Sequence, residues 1–372
     1  MGLEDVALEE VRAVANVRRA ELERGKGRLF LEASSLAEAY KILVNAKTVD
    51  KVILKLLRAR AASLEEIYER TVAVDFSELF EHGQSFAVRT ERIGKHDFTS
   101  LEISAKVGRA VLDSTRKRVK VDLKQPDVEL LAYLRDSDYF LGVNLTGKSM
   151  HARGYRVYDH PAALKTTIAQ AMVRLVGWDG SEPLIDPMCG GGTIATEAVL
   201  YARSFPIQVL KRTFMVEKLA FHDEKSYREA ISEGFSSANL KKYPVFASDI
   251  SEKHVSGAIL NALSSYTLDS IVFKVLDATK LHEKLDFEPK YVVVNPPYGI
   301  RMTRLGYVPF LYKAFLRSLK KASKDFKLSL ITPRAKLFGK IAEEEGLSFL
   351  CEKGVMHGNL PAKIFVCEFS RG

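Results

Sequence analysis

The chain has 372 residues, of which 47% are hydrophobic and 28% charged, and its formal net charge is +9. This length exceeds one ordinary hydrophobic core, so two or three domains are expected. No apolar run reaches the roughly 18–20 residues of a membrane span, and the acidic start at residues 1–5 is unlike a signal peptide. We therefore expect a cytoplasmic protein without membrane association.

The three cysteines, Cys189, Cys351 and Cys367, form no CxxC pair and have no histidine at metal-ligand spacing. Structural zinc is therefore not expected, and no other metal site is predicted. Cys351 and Cys367 could face each other across a C-terminal hairpin, but reduced thiols are the expectation in a reducing compartment.

The first half of the chain alternates between helix-like and strand-like patterns. In residues 1–62, helices are predicted at 4–20 and 36–45, and strands at 28–32 and 48–57. In residues 63–148, helices are predicted at 64–72 and 101–114, and strands at 85–90, 119–123, 128–135 and 138–144, the last two paired. This organisation predicts two α+β domains, at 1–62 and 63–148.

Residues 149–165 are predicted to be a linker, in which His151, Arg153, Arg156 and His160 supply basic and imidazole side chains. The next helix is predicted at 162–176, after Pro161. From residue 183 onward strands and helices alternate, which is typical of a parallel, doubly wound sheet. Residues 166–372 are therefore predicted to form an α/β domain with Rossmann-like topology.

A polar residue stands at the end of each of four predicted strands in this domain. Asp186 follows residues 183–185, Asp249 follows 245–248, Asp277 follows 271–276, and Asn295 follows 291–294. The carboxyl ends of parallel strands form the ligand crevice of open α/β sheets. We therefore expect these four side chains to converge on one ligand.

A loop with glycines at positions 190–192 follows the first of these acids and precedes a helix predicted at 194–201. Glycines at a helix N-terminus let the backbone approach a ligand closely. The spacing is not GxGxxG, and the next acidic strand end is 63 positions on (186 to 249) rather than the ~20 of a dinucleotide fold. The pattern favours a ligand with ribose and adenine but no pyrophosphate, held by Asp249 at the ribose hydroxyls and Asp277 at the adenine amino group. Taken singly, either acid could cap a helix instead.

The string Asn295-Pro296-Pro297-Tyr298 is the most specific motif in the chain. An exocyclic aromatic amine is a poor nucleophile because its lone pair is delocalised into the ring. The Asn295 side-chain oxygen and the Pro296 carbonyl can accept hydrogen bonds from the two N–H groups of the amine. Tyr298 offers a flat face for an unstacked base. The prolines fix φ and remove competing N–H donors. The alternative is a rigid Pro-Pro turn after a strand.

Four parts of the chain resemble a known family. Residues 186–193 resemble the first cofactor motif of class I methyltransferases, usually DPFCGSGT, with Met188 and Gly191 replacing Phe and Ser. Residues 295–299 resemble the NPPY motif of amino-methyltransferases. Residues 63–150 resemble a THUMP domain, and the start resembles the ferredoxin-like domain that precedes it. Residues 153–164 resemble the junction of THUMP-linked RNA guanine-N2-methyltransferases.

This resemblance implies an S-adenosylmethionine-dependent RNA guanine-N2-methyltransferase with tRNA as its partner. Asn rather than Asp at position 295 indicates the archaeal and bacterial enzymes of guanosine 6, with ribosomal RNA or tRNA position 10 as alternatives. An adenine-N6 or protein-glutamine methyltransferase and a non-catalytic RNA-binding protein also remain open. The implied cofactor-binding residues are Asp186, Met188, Gly190, Gly192, Thr193, Asp249, Ile250, Asp277 and Ala278, and the implied catalytic residues are Asn295, Pro296 and Tyr298.

The net positive charge is compatible with a nucleic-acid partner. The basic residues that could hold phosphates are Arg116, Lys117, Arg118, Lys120, Arg301 and Arg304, although a merely solvated surface is the simpler interpretation of most of them. Four histidines, His222, His254, His282 and His357, have no ligand spacing and are expected at the surface or as caps. A monomer is the expected state.

Overall fold

The structure of the protein is a computed structural model that describes residues 1–116, 118–299 and 305–371. The chain divides into two compact units. The smaller comprises Asp50–Met150 and Thr213–Glu229, and the larger comprises Met1–Val49, His151–Arg212 and the chain from Ala230 onward. Within the described ranges, no helix is both long enough and apolar enough to cross a membrane.

Residues 1–49 begin the larger unit with α1 (Glu4–Val14), an antiparallel hairpin of β1 (Val17–Glu23) and β2 (Arg28–Ala33), and α2 (Leu36–Asn45). The predicted helix at 4–20 is therefore too long. The helix ends at Val14 because Ala15 is already extended, with φ −144° and ψ 148°. The next residues pair with β2 across a turn in which Gly25 and Gly27 both have positive φ. Strand pairing overrides the helix propensity of the Arg, Ala and Glu residues in β1.

The described residues of the smaller unit form one five-stranded sheet with two α-helices, a 3-10 helix at Met215–Lys218 and the start of the helix Glu224–Ser237. Its elements are β3 (Ile53–Arg60), α3 (Leu64–Val72), β4 (Ser85–Ile93), α4 (Ser100–Ser114), β5 (Lys120–Val121), β6 (Val128–Arg135) and β7 (Asp138–Asn144). The strand order is β3-β7-β6-β4-β5, and β6 and β7 form the predicted antiparallel pair. Both helices begin at side-chain caps: Ser63 Oγ accepts from the Glu66 N–H, and Thr99 forms a capping box with Glu102.

Two strands of this unit differ from their predictions. The strand predicted at 48–57 lies at Ile53–Arg60 and pairs with β7, so it belongs to the five-stranded sheet and not with residues 1–49. An alternating pattern predicts a strand but does not name its partner, and for this reason the unit boundary at Val49 differs from the predicted boundary at residue 62. The strand predicted at 119–123 is reduced to the two residues of β5.

The rest of the described chain supplies most of the larger unit, although the helix Glu224–Ser237 begins in the smaller unit, which extends to Glu229. Its elements are α5 (Thr166–Leu175), β8 (Leu184–Asp186), α6 (Thr193–Ala202), α7 (Ile207–Lys211), α8 (Glu224–Ser237), β9 (Val245–Asp249), α9 (Glu252–Ser264), β10 (Ile271–Val275), α10 (Leu281–Lys284), β11 (Tyr291–Val294), α11 (Val308–Ala322), β12 (Asp325–Thr332), α12 (Ala335–Glu344), β13 (Ser348–His357) and β14 (Leu360–Ser370).

These strands form a seven-stranded sheet in the order β10-β9-β8-β11-β12-β14-β13. The first five are parallel, and β14 and β13 are antiparallel to their neighbours. Alternate residues of β11 enter two different cores: Val293 packs with α5, α6 and α9, while Val292 and Val294 pack with α10, α11 and α12. Helices therefore cover both faces, as a parallel sheet requires. The predicted Rossmann-like sheet is confirmed.

Candidate active site

Four polar residues lie where four neighbouring parallel strands end. Asp249 and Asp186 are the last residues of β9 and β8, Asn295 directly follows β11, and Asp277 lies two residues after β10. Because β10, β9, β8 and β11 are adjacent and parallel, their carboxyl ends lie along one edge of the sheet, which we call the ligand edge. The structure thus brings together the four residues that the sequence pattern singled out.

Asp186 is buried at the centre of the ligand edge and is only 1% exposed. Neither carboxylate oxygen makes a hydrogen bond of normal geometry to any described residue. Burial raises the pKa of Asp186 well above its usual range, the negative charge of Asp249 adds to this rise, and the Met188 backbone N–H offsets part of it. A buried carboxylate without a partner favours a ligand that brings a donor or a positive charge.

Asp249 connects the ligand edge to the glycine loop, residues 187–192. Its Oδ2 accepts from the Gly190 backbone N–H at 3.0 Å, and its Oδ1 accepts from the Ser251 N–H at 2.9 Å. The adjacent Cys189 N–H donates to the Ser248 carbonyl at 2.8 Å. The loop is therefore held against the end of β9 by two hydrogen bonds, and the Asp249 residue is half-buried.

Two of the loop's glycines are required by backbone conformation and space. Gly190 and Gly192 have φ of +51° and +73°, in the left-handed region where side chains are strained. A Cβ at Gly192 would lie 2.9 Å from the Cβ of Ala258 on α9, because α6 starts there in close contact with α9. The loop thus brings bare backbone to the N-terminus of α6.

The other predicted cofactor residues occupy varied positions at this edge. Ile250 is 72% exposed directly after Asp249, which leaves an apolar side chain free to cover a flat ring. Asp277 Oδ1 caps the turn that follows, accepting from the Thr279 N–H and hydroxyl at 2.9 and 2.7 Å, and Ala278 is buried in that turn. Asp277 therefore has the capping role that the sequence left open, and a ligand role remains a prediction.

Two residues of the loop region that were predicted to bind the cofactor have side chains that contact other parts of the protein. Met188 packs against the core on the α11 side of the sheet. Thr193 is buried, and its hydroxyl accepts from the Arg156 guanidinium at 3.1 Å. Direct contact of either side chain with a ligand therefore remains a prediction.

The tetrapeptide Asn295-Pro296-Pro297-Tyr298 follows β11, whose neighbours in the sheet are β8 and β12. The Tyr298 hydroxyl donates to the Asn295 side-chain oxygen, and the Tyr298 carbonyl accepts from Arg334 Nε at 3.2 Å. The Tyr298 ring lies edge-on to His357, with centroids 6.5 Å apart. Burial raises the pKa of Tyr298, so its phenol stays protonated.

Comparison with known families shows which protein family this chain belongs to. A family model described as an RMKL-like methyltransferase domain matches residues 153–363, and a THUMP-domain model matches residues 61–144. The chain belongs to the RMKL-like methyltransferase family. The predicted methyltransferase and THUMP domains are therefore confirmed, as is S-adenosylmethionine as the cofactor.

Relatives of this methyltransferase match nearly the whole chain. A protein of Archaeoglobus fulgidus named tRNA (guanine(6)-N2)-methyltransferase is 38% identical over 98% of this chain and 89% of its own length. A protein of the same name from Methanocaldococcus jannaschii is 33% identical, over 98% and 97%. The crystal structure of a "possible methylase" from Clostridium difficile superimposes with a TM-score of 0.86 at 23% identity, covering 100% of this chain and 96% of that one, which shows the shared fold.

The residues of the ligand edge fit S-adenosylmethionine. The orphan Asp186 carboxylate suits the positively charged amino group of the methionine moiety, and Asp249 suits a ribose diol. The exposed Ile250 suits the adenine ring. Among the described residues no cluster of His, Cys, Asp and Glu has the arrangement of a metal site.

The predicted RNA-contact residues of the methyltransferase lie partly within the described chain. Arg116, Arg118 and Lys120 are exposed in the smaller unit, and Lys120 lies on the edge strand β5. Lys117, Arg301 and Arg304 lie outside the described residues. The roles of all six remain predictions.

Several residues that surround the glycine loop were not predicted from the sequence. His160, assigned to the linker, and His254, expected at the surface or as a cap, pack against each other with ring centroids 4.3 Å apart. Asn261, which no motif covers, is buried and hydrogen-bonded to the loop. The linker itself is packed, since the buried Arg153 and Tyr155 both bond to Glu197 of α6. The cluster of basic and aromatic residues in 151–160 was the available signal.

Proposed function

We propose that this protein transfers a methyl group from S-adenosylmethionine to N2 of a guanine in tRNA, at guanosine 6 of the acceptor stem. The observation that carries the proposal is the tetrapeptide at the end of β11, next to the strand that ends at the buried Asp186. The names of the two archaeal relatives, which match nearly the full length, support the base, the RNA class and the position. The THUMP match supports an RNA substrate over DNA or protein.

The tetrapeptide would act on the guanine amine by orientation. The Asn295 side-chain oxygen and the Pro296 carbonyl accept hydrogen bonds from the two N–H groups of the amine. These bonds turn the nitrogen lone pair toward the methyl donor. In the free protein the Asn295 oxygen is occupied by the Tyr298 hydroxyl, so the incoming amine displaces this donor. Tyr298 then presents its ring to the base.

The bound cofactor supplies an electrophilic methyl group on a sulfonium centre. No strong general base is needed, because the nitrogen becomes acidic on methylation and loses its proton readily to water. The protein's contribution is placement and electrostatic complementarity. A paired acceptor-stem base must first leave the helix, at a cost of a few kcal/mol.

The residue type at position 295 is one argument for guanosine 6 as the methylated nucleotide. Family members that act on tRNA position 10 usually carry Asp there, whereas Asn is shared with the guanosine-6 and ribosomal-RNA types. Ribosomal RNA large subunit methyltransferases K/L are the second candidate class, but the chain spans only 48% of such a relative from Pseudoalteromonas atlantica, at 28% identity. The guanosine-6 relatives match over nearly their full length and favour tRNA.

The test is methylation of unmodified tRNA with radiolabelled S-adenosylmethionine, followed by mapping of the labelled nucleotide. The matched control is a tRNA in which the pair containing guanosine 6 is inverted. We expect one N2-methylguanosine at position 6 and no label in the control. Label at N6 of adenine, at position 10 or only in ribosomal RNA would overturn the proposal.

We further propose that the protein acts as a monomer in the cytoplasm. Asp186, Asp249, Asn295 and Tyr298 all belong to the larger unit of one chain, so a second copy is not required to complete the ligand edge. Sedimentation of the protein with and without tRNA tests this state, and a dimer that forms before RNA is added would contradict it.

A further inference from the structure

The segment of residues 157–160 is fastened to the glycine loop by one buried side chain. Asn261 of α9 is 1% exposed, and its Oδ1 accepts from the Val157 and Tyr158 backbone N–H groups, both at 2.9 Å. Its Nδ2 donates to the Tyr158 carbonyl at 3.0 Å and to the Gly191 carbonyl at 2.9 Å. One amide thus uses all its hydrogen-bonding capacity to join this segment to the cofactor loop.

His160 fills the space beside two of the loop's glycines. A Cβ at Gly190 would lie 3.1–3.3 Å from three ring atoms of His160, and a Cβ at Gly191 would lie 3.2 Å from the His160 Cβ. Movement of the His160 ring would therefore change the support of the backbone whose Gly190 N–H binds Asp249.

The two nitrogens of His160 indicate a neutral ring. Nδ1 accepts from the Ala162 N–H at 3.2 Å, so the proton of the neutral form is on Nε2. Nε2 is buried and has no hydrogen-bond partner among the described residues. A protonated ring would place an Nδ1–H against the Ala162 N–H, two donors facing each other, and would lose this contact.

The surroundings of His160 also act against a positive charge. The ring of His254, on the first turn of α9, lies edge-on to it, and the Tyr158 hydroxyl is 2.7 Å from His254 Nδ1. The acidic groups that face it are Asp249, at the end of β9, and Asp159, in its own segment. Burial and the neighbouring His254 lower the pKa of His160, and these two carboxylates only partly oppose the effect.

We propose that His160 is a positioning residue of the cofactor site: as a neutral ring it holds the Gly190–Gly191 backbone and, through it, Asp249 in the geometry that binds S-adenosylmethionine. Asn261, Tyr158 and His254 hold His160 in place. Protonation of His160 breaks its bond to Ala162 and releases the loop. The inference depends on the cofactor of the proposed function but is independent of the RNA target.

The test measures the affinity of the whole protein for S-adenosylhomocysteine by calorimetry, without RNA, at intervals from pH 8 down to about pH 5, because the pKa of His160 lies below the ordinary histidine value of ~6.5. We expect the wild-type affinity to fall as the pH decreases, by up to about tenfold once His160 is fully protonated, the size of one lost hydrogen bond with its packing. His160→Phe keeps a ring that cannot be protonated, so its affinity should change by less than about threefold over this pH range.

The matched control is His282→Phe, the same substitution on a histidine of α10, which packs against α11, and it should keep the wild-type fall in affinity. If His160→Phe does not fold, His160→Gln supplies an uncharged side chain with a donor near the Nε2 position and should also be insensitive to pH. A fall in affinity that persists in the His160 variants, or that disappears equally in His282→Phe, would overturn the proposal.

The outcome is separable from that of the proposed function. If the wild-type protein binds S-adenosylhomocysteine with the expected pH dependence but does not methylate tRNA, the role of His160 stands and the RNA assignment falls. If the wild-type protein binds no S-adenosylhomocysteine at any of these pH values, both fall.

Discussion

The ligand edge has two halves, a cofactor half at Asp186, Asp249 and the glycine loop and an acceptor half at residues 295–298, and their polar groups differ in whether they already have hydrogen-bond partners. In the cofactor half, Asp186 is buried, and neither carboxylate oxygen makes a hydrogen bond of normal geometry to a described residue. In the acceptor half, the Asn295 oxygen is already bonded to the Tyr298 hydroxyl. Under the proposed function, Asp186 is a destabilising group that would gain a partner when the cofactor binds, whereas Asn295 would exchange one partner for another.

This difference implies different consequences for binding and for turnover. A buried charge that gains its partner only from a ligand couples ligand binding to protein stability. An acceptor that exchanges partners contributes little to ground-state binding, since one hydrogen bond replaces another. Its contribution appears in the transition state, where the amine must be held in one orientation. Substitutions in the two halves should therefore affect different measurements.

The largest effect is expected from Asn295→Ala. Loss of this acceptor should lower kcat on tRNA by about 10²–10³-fold, the scale of removing one preorganised polar group from an active site. The dissociation constant for S-adenosylhomocysteine should stay within about twofold, because Asn295 is outside the cofactor half. Single-turnover kinetics and calorimetry measure the two quantities.

The matched control for this prediction is Asn295→Asp, which keeps an acceptor oxygen and the side-chain size. It should retain far more activity than the alanine variant. A loss of cofactor affinity in Asn295→Ala as large as its loss of turnover would place Asn295 in cofactor binding or folding and remove the contrast between the two halves.

A smaller effect is expected at Tyr298, where the ring and the hydroxyl can be separated. Tyr298→Ala removes the surface for the unstacked base and should lower kcat/KM by about 10–100-fold, from a stacking contribution of ~1–3 kcal/mol. Tyr298→Phe keeps the ring and frees the Asn295 oxygen, so kcat/KM should stay within about threefold of wild type. If kcat/KM falls as far in Tyr298→Phe as in Tyr298→Ala, the hydroxyl is the functional group of Tyr298. The proposal that Asn295 exchanges hydrogen-bond partners would then be wrong.

Sequence patterns predicted the ligand edge well because each part of it is local. A buried strand followed at once by Asp or Asn, as at Asp249 and Asn295, is visible in a few residues. Topology then brings such ends together. The helix at 64–72 and the strands at 128–135 and 138–144 were likewise predicted at the observed bounds, because their periodicity and turn are contained in one short segment.

What the sequence missed depends on contacts between distant residues. β1 has the composition of a helix and becomes a strand by pairing with β2, and β3 joins the remote strand β7, as in the pair of Arg58 and Phe140. His160 looked like one of several basic linker residues, because its partners His254 and Gly190 are remote in sequence. The bond between the Tyr298 hydroxyl and Asn295 is local, but no pattern predicts a side-chain rotamer.

The smallest effect, and the sharpest test of the contrast, is expected in the stability of the cofactor-free protein. Asp186→Asn keeps the shape of the side chain and removes the buried charge. Burial penalises the charged carboxylate but not the neutral amide, so the variant should unfold a few degrees higher than wild type near neutral pH. Thermal unfolding without cofactor measures this directly.

The pH dependence of this gain follows from the raised pKa of Asp186. A carboxyl whose pKa is higher in the folded than in the unfolded protein stabilises the fold at low pH and loses that contribution as pH rises through the folded pKa. The advantage of Asp186→Asn should therefore shrink as pH falls, and S-adenosylhomocysteine should raise the melting temperature of wild type more than that of the variant. A variant less stable than wild type at neutral pH would mean that Asp186 already has a stabilising partner, and the two halves of the edge would then be alike.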